Sequence, residues 1–118
     1  MAEQMTQQCD LTKKHCVPCE GGIPSLALDI VENHLKLMPK WQLNEQQNTI
    51  FRVLSFENFH ETMAFVNAIA WISHQENHHP DLEVGYNRCV VHYMTHAVKG
   101  LTENDFICAA KVDQLFEV

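Results

Sequence analysis

Between Asn58 and Asn77 the chain carries apolar residues on almost every side of what reads as one long helix, and this pattern narrows the available folds most. Phe59, Met63, Val66 and Ala70 form one stripe, while Phe65, Ile69 and Ile72 form a second. Ala64, Ala68 and Trp71 extend apolar character to a third face. A helix apolar nearly all round is buried on more than one side. In a chain of 118 residues, enough for one modest core, the surplus face is expected to meet another subunit. Asn58 with Glu61 three residues later suits a helix start, and Pro80 stops the helix by forcing the preceding residue out of helical conformation.

The flanking segments follow other periods. Leu28, Val31, Leu35 and Met38 recur on one helical face, which Pro39 ends. Trp41 to Asn44 and Thr49 to Phe56 read as short strands around the polar turn Glu45-Gln46-Gln47-Asn48. Leu82 to Tyr86 and Arg88 to Thr95 read as a hairpin, with Gly85 and Asn87 near its turn. In the second of these strands Val90, His92 and Met94 share one face and Cys89, Val91 and Tyr93 the other. Thr102 and Asp105 have capping-box spacing at the start of a last helix, whose buried stripe is Cys108, Val112 and Leu115. The expected fold is α+β, a four-stranded antiparallel sheet with three helices packed on one face, a two-layer sandwich. Residues 1–24, with two prolines and the pair Gly21-Gly22, are expected to form an extended leader, and residues 25–118 the domain.

Composition removes several function classes. The net charge is −7 with eight Lys and Arg, and no basic cluster exceeds Lys13-Lys14-His15, so direct nucleic-acid binding has little electrostatic support. No apolar run reaches the roughly 18 to 20 residues of a membrane span, and Met1 to Leu11 lacks the apolar region of a signal peptide. Five cysteines, an odd number, fit a reduced cytoplasmic protein, with Cys89 and Cys108 as small core residues.

The chemistry-bearing residues cluster between positions 74 and 105: His74, His78-His79-Pro80, Tyr86, Thr95-His96, Gly100-Leu101-Thr102 and Asp105. Imidazole, with an ordinary pKa of about 6.5, serves as both acid and base near neutral pH. His78 and His79 fall at the C-terminal end of the central helix, where the helix dipole favours imidazolium by about 0.3–1 kcal/mol. The strand that starts after Pro80 turns the chain back, so His96 returns beside them. His15, His34, His60 and His92 read as structural, Asp105 as a helix cap and Tyr86 as a sheet or pocket-wall residue.

This spaced set resembles the pterin-4a-carbinolamine dehydratases. Their pattern is an acidic, basic or His residue, three residues, His-His-Pro, five or six residues, an aromatic, nine residues, His, and then Asp. Here it is met by His74, His78-His79-Pro80, Tyr86, His96 and Asp105. The segment Cys16-Val17-Pro18-Cys19-Glu20-Gly21-Gly22 also looks like the leader of bacterial members. Leu82 stands where a Trp often follows the motif, and Asn77 where an acidic residue often precedes it. The resemblance implies a lyase that dehydrates 4a-hydroxytetrahydropterin to quinonoid dihydropterin, recycling tetrahydrobiopterin for phenylalanine hydroxylation. It implies His78 and His96 as the acid–base pair and His79 as an orienting residue. Asn77, His78, His79, Met94, Thr95, His96 and Ala97 would line the pterin pocket. No metal and no organic cofactor is implied, and the assembly would be a homodimer or homotetramer in the cytoplasm.

Two rivals have sequence support. His74 and His78 have the i, i+4 spacing of zinc ligands with Glu76 between them, and Cys16 and Cys19 could join His15 or Cys9. That order is not the metalloprotease one, and a single Cys-x-x-Cys lacks a second pair, so no metal is assigned. The other rival is a non-catalytic dimerisation or assembly cofactor, since some relatives of the family act in that way. A protein that only scaffolded would not need the histidine set.

Overall fold

The computed structural model describes residues 11–18 and 24–117. Helix α1 (Leu28–Leu37) leads into strands β1 (Gln42–Leu43) and β2 (Ile50–Ser55), and helix α2 (Phe59–Glu76) follows. Strands β3 (Asp81–Val84) and β4 (Arg88–Tyr93), a short 3-10 turn over His96–Val98, and helix α3 (Glu103–Gln114) complete the chain. The sheet is antiparallel throughout, in the order β1-β2-β4-β3. This is the expected α+β sandwich, with the helices against one face of the sheet. No helix among the described residues is long and apolar enough to cross a membrane.

Alternation along β4 sets the layers. Cys89, Val91 and Tyr93 are fully buried against the helices, and His92 lies on the opposite face, bonded to Glu83. Val90 is buried on that outer face too, sheltered between its register partners Val53 and Glu83. Helix α3 supplies Phe106, Ile107, Cys108, Ala109 and Val112, all buried. Its C-terminal end is tied down through Asp113, which accepts from Trp41 Nε1 at 2.8 Å and pairs with Arg52. Burial pushes the Asp113 carboxyl up, although Trp41 and Arg52 pull the other way.

Within the single chain, helix α2 is buried along one face only. Its buried residues are Thr62, Phe65, Ile69, Ile72 and Glu76, one face at alternating spacings of three and four. The second expected stripe is therefore core. Phe59 is 49% and Trp71 61% exposed, and Ala64 and Ala70 are exposed as well. The sheet and α3 reach mainly one side of the helix; Met63, Val66 and Ala68 on the other faces are half-buried in the single chain, and Val66 still packs against the core. The expected strand from Leu82 to Tyr86 stops at Val84, because the Gly85 N–H turns to the Arg88 carbonyl and closes the hairpin. Tyr86 lies in that turn, 65% exposed. The leader also differs in part: residues 11–13 are helical and Leu11 joins the core, whereas residues 14–18 have no regular structure.

Ile69 lies at the middle of the buried face of α2 and is 1% exposed. Ile69→Ala is expected to lower the unfolding free energy by about 2–5 kcal/mol, read from urea titration monitored by circular dichroism.

Candidate functional site

Asn77 ends α2 in the left-handed region, at φ 51° and ψ 41°, a conformation that Asn tolerates better than most residues. Its N–H and that of His78 both return to the Ser73 carbonyl. This reversal lifts His78 and His79 off the helix axis before Pro80 starts β3. On the opposite side, β4 runs into Thr95, whose N–H bonds to the Gly100 carbonyl at 2.9 Å. The 3-10 turn carrying His96 and Ala97 is closed by that bridge. Gly100 is required there, since a Cβ would sit 2.8 Å from the Cβ of Ser25.

These two reversals face each other across a cleft of about 370 Å³. Asn77, His78 and His79 form one wall, and Met94, Thr95, His96 and Ala97 the facing wall. All seven residues proposed from the sequence thus border one space of a size usual for small-molecule pockets. The rings of His79 and His96 lie nearly parallel, 6.4 Å apart between centroids and 26° between planes.

A buried carboxylate underpins the site. Asp105 is fully buried and uses both oxygens. Oδ2 accepts from the Thr102 N–H at 3.0 Å and from the Thr95 hydroxyl at 2.8 Å, and Oδ1 lies 2.7 Å from His78 Nε2. Thr102 and Asp105 make the expected capping box. Capping is therefore one of two tasks, and the sequence reading of Asp105 as a cap alone was incomplete. An ionised carboxylate only accepts, so a hydrogen bond from His78 to ionised Asp105 places the ring proton on Nε2 and leaves Nδ1 as the other nitrogen. The ring is also stacked on Tyr93, 5.9 Å between centroids and 12° between planes. The Tyr93 hydroxyl is buried without a hydrogen-bond partner among the described residues, and burial drives its pKa far up.

The leader supplies a third wall that sequence reasoning missed: Cys16, Val17 and Pro18, backed by Glu76 and Asn104. Glu76 accepts from the Cys16 N–H at 2.8 Å, lies 3.0 Å from His15 Nδ1 and 3.5 Å from Lys111 Nζ. Burial pushes its carboxyl up, but the Cys16 N–H, the His15 ring and Lys111 outweigh that and hold it below the ordinary value. The Cys16 and Cys108 thiols touch at 3.6 Å.

Other expectations resolve differently. His74 lies against Trp71 and His78 turns to Asp105, so the two do not act together as a zinc pair. Among the described residues no group of three or more His, Cys, Asp or Glu is placed to hold a metal, and Cys9 and Cys19 lie outside those residues. His34 packs on Phe106, and burial lowers its pKa despite Glu103. Tyr86 is not part of the cleft, because the turn at Gly85 carries it away.

Comparison with known proteins gives concordant matches. Residues 24–115 match the family model described as pterin 4 alpha carbinolamine dehydratase. A protein of Nitrosomonas europaea, provisionally named a pterin-4-alpha-carbinolamine dehydratase, is 60% identical over 114 residues, covering 96% of this chain and 99% of its own length. One of Legionella pneumophila with the same provisional name is 61% identical over 107 residues, covering 90% of this chain and 95% of its own. Among solved structures, a transcriptional coactivator/pterin dehydratase from Brucella melitensis superposes with a TM-score of 0.74 at 27% identity, over 77% of this chain and 97% of that one. A pterin dehydratase-like RuBisCO assembly factor of the alpha-carboxysome matches with a TM-score of 0.57 at 23% identity, over 66% of this chain and 90% of that one, a likeness of fold.

Because the Glu76 carboxyl sits below its ordinary value, its ionised form stabilises the folded state. That contribution is present above the unfolded glutamate pKa of about 4.3 and disappears as pH falls through the lower folded value. Glu76→Gln is expected to reduce the urea midpoint at pH 7, with the gap to wild type narrowing steadily below about pH 4.3.

Proposed function

Because this chain belongs to the pterin 4 alpha carbinolamine dehydratase family, we propose that it removes water from 4a-hydroxytetrahydropterin to give quinonoid dihydropterin. The observation that carries this reading is the contact of His78 Nε2 with buried Asp105, behind a cleft that His78 lines and whose other wall bears His96. The substrate carries its hydroxyl on a carbon next to a ring nitrogen. As the C–O bond breaks, the nitrogen lone pair forms the new C=N bond, and an acid must protonate the departing oxygen, since hydroxide leaves poorly. A base must collect the proton that the pterin ring gives up. One proton enters the leaving water and one leaves the ring, so the balance is the loss of H₂O.

In this scheme Asp105 holds His78 in the Nε2–H tautomer, and Nδ1 takes the ring proton. His96 donates to the hydroxyl, and His79, nearly parallel to it, orients the pterin. Asn77, Met94, Thr95 and Ala97 complete the pocket. The domain is taken to span residues 25–118, with residues 1–24 as its leader. The setting is the recycling of tetrahydrobiopterin after phenylalanine hydroxylation in the cytoplasm. A homodimer or homotetramer is favoured by the apolar side chains that α2 leaves exposed, Phe59 and Trp71.

A non-catalytic assembly role is the second reading, since a protein of this fold is described as a RuBisCO assembly factor. The three histidines around the cleft favour the enzyme. The ultraviolet decay of freshly generated 4a-hydroxytetrahydropterin separates the two. Wild type is expected to accelerate it, and His78→Ala and His96→Ala each to lower kcat by about 10²–10⁴-fold with unchanged oligomeric state. A well-folded wild type that leaves the decay unaltered would sink the dehydratase reading.

A further inference from the structure

Residues 14–18 have no regular structure, yet side chains of Glu76 and Asn104 bond the backbone of Cys16 and Val17. Asn104 accepts from the Val17 N–H at 3.0 Å and donates to the Val17 carbonyl at 2.7 Å, gripping one residue from both sides. Glu76 accepts from the Cys16 N–H at 2.8 Å, and the Cys16 thiol reaches the Asn104 carbonyl at 3.6 Å. Glu76 and Asn104 are 5% and 4% exposed. Burying a carboxylate and a carboxamide has a desolvation cost that these bonds offset, so both are specific partners of the leader.

The grip delivers the leader to the cleft. Cys16, Val17 and Pro18 line it, while Val17 keeps 63% of its surface exposed. The two facing walls present three imidazoles, an amide and a hydroxyl, with Met94 and Ala97 as their apolar members, and Val17 and Pro18 add apolar surface from the third side. A flat heterocycle needs such a surface against a ring face. Both grips also adjoin the His78–Asp105 contact in sequence: Glu76 precedes His78 by two residues, and Asn104 precedes Asp105 by one. The leader is thus registered to the same two helix ends that set the His78–Asp105 contact.

We propose that Cys16, Val17 and Pro18 form the substrate-shaping wall of the cleft, and that Glu76 and Asn104 are the positioning residues that hold it. This inference rests on the dehydratase reading of the site. The wall acts on substrate binding and leaves the proton transfers to the histidines, so its loss is read in KM and not in kcat.

The experiment is steady-state dehydration of 4a-hydroxytetrahydropterin by the full chain, comparing wild type with Val17→Ala, Asn104→Ala, Glu76→Ala and Glu76→Gln, each with a thermal melt. Val17→Ala is expected to raise KM about threefold, and Asn104→Ala and Glu76→Ala about tenfold, with kcat within about twofold of wild type. Glu76→Gln should recover most of the KM, because its amide oxygen still accepts from Cys16. Val17 is exposed and its truncation leaves the fold intact, so that variant decides the matter if Asn104→Ala does not fold. Active wild type with unchanged KM in Val17→Ala, or losses confined to kcat, would overturn the wall alone. An inactive, well-folded wild type would overturn the dehydratase reading and the wall with it.

Discussion

A single carboxylate with no exposure to solvent, Asp105, joins the start of the last helix, the end of the central strand of the sheet and the histidine at the cleft. A buried charge is costly unless its lone pairs are occupied. Here a backbone N–H, a hydroxyl and an imidazole occupy them, each from a different stretch of chain. The Thr95 and Thr102 hydroxyls lie 2.8 Å apart beside it, closing a small buried network. If any member moves, the others lose a partner in a place water cannot reach, so the cap, the strand end and the His78 ring stand or fall as one unit.

The cleft follows from that unit and from two backbone reversals. Asn77 accepts a left-handed conformation so that α2 can stop and present His78 and His79. Lys99 does the same at φ 54°, letting the chain turn from His96 back to Gly100. Imidazoles thus come from two walls with their backbone supports set by sheet and helix and not by free loop. Preorganised groups of this kind need little rearrangement at the moment of reaction, which suits a dehydration that asks only for two proton movements.

Much of this was legible in the sequence where the signal was local. The stripe Phe65, Ile69 and Ile72, the alternation along β4 and the Thr102–Asp105 spacing each depend on neighbours within a few residues, and each reappears in the fold. The His78–His79 and His96 sets fall on two sides of one cleft because a helix stop and a hairpin are both readable from Pro80, Gly85 and period. What could not be read are pairings across the chain. The partner of Asp105 lies 27 residues away, and that of the Cys16 N–H lies 60 residues away. Neither leaves a periodic trace. In the sequence Glu76 stands out only as the residue between His74 and His78, and Asn104 carries no motif; the packing of the leader gives them work. The apolar side chains that α2 leaves exposed, Phe59 and Trp71, belong to the surplus that the sequence assigns to a contact with another subunit, and a single chain offers only one surface for the helix to bury against.

The central claim is that Asp105 fixes the tautomer of His78 and leaves Nδ1 free to accept a proton. Nitrogen-15 NMR of the histidine rings, recorded at a pH where His78 is neutral, tests it directly in wild type and Asp105→Asn. Wild type is expected to show a protonated Nε2 and an unprotonated Nδ1, with that preference weakened in the variant. A His78 ring protonated at Nδ1, or one whose tautomer is unchanged when the carboxylate is removed, would contradict it.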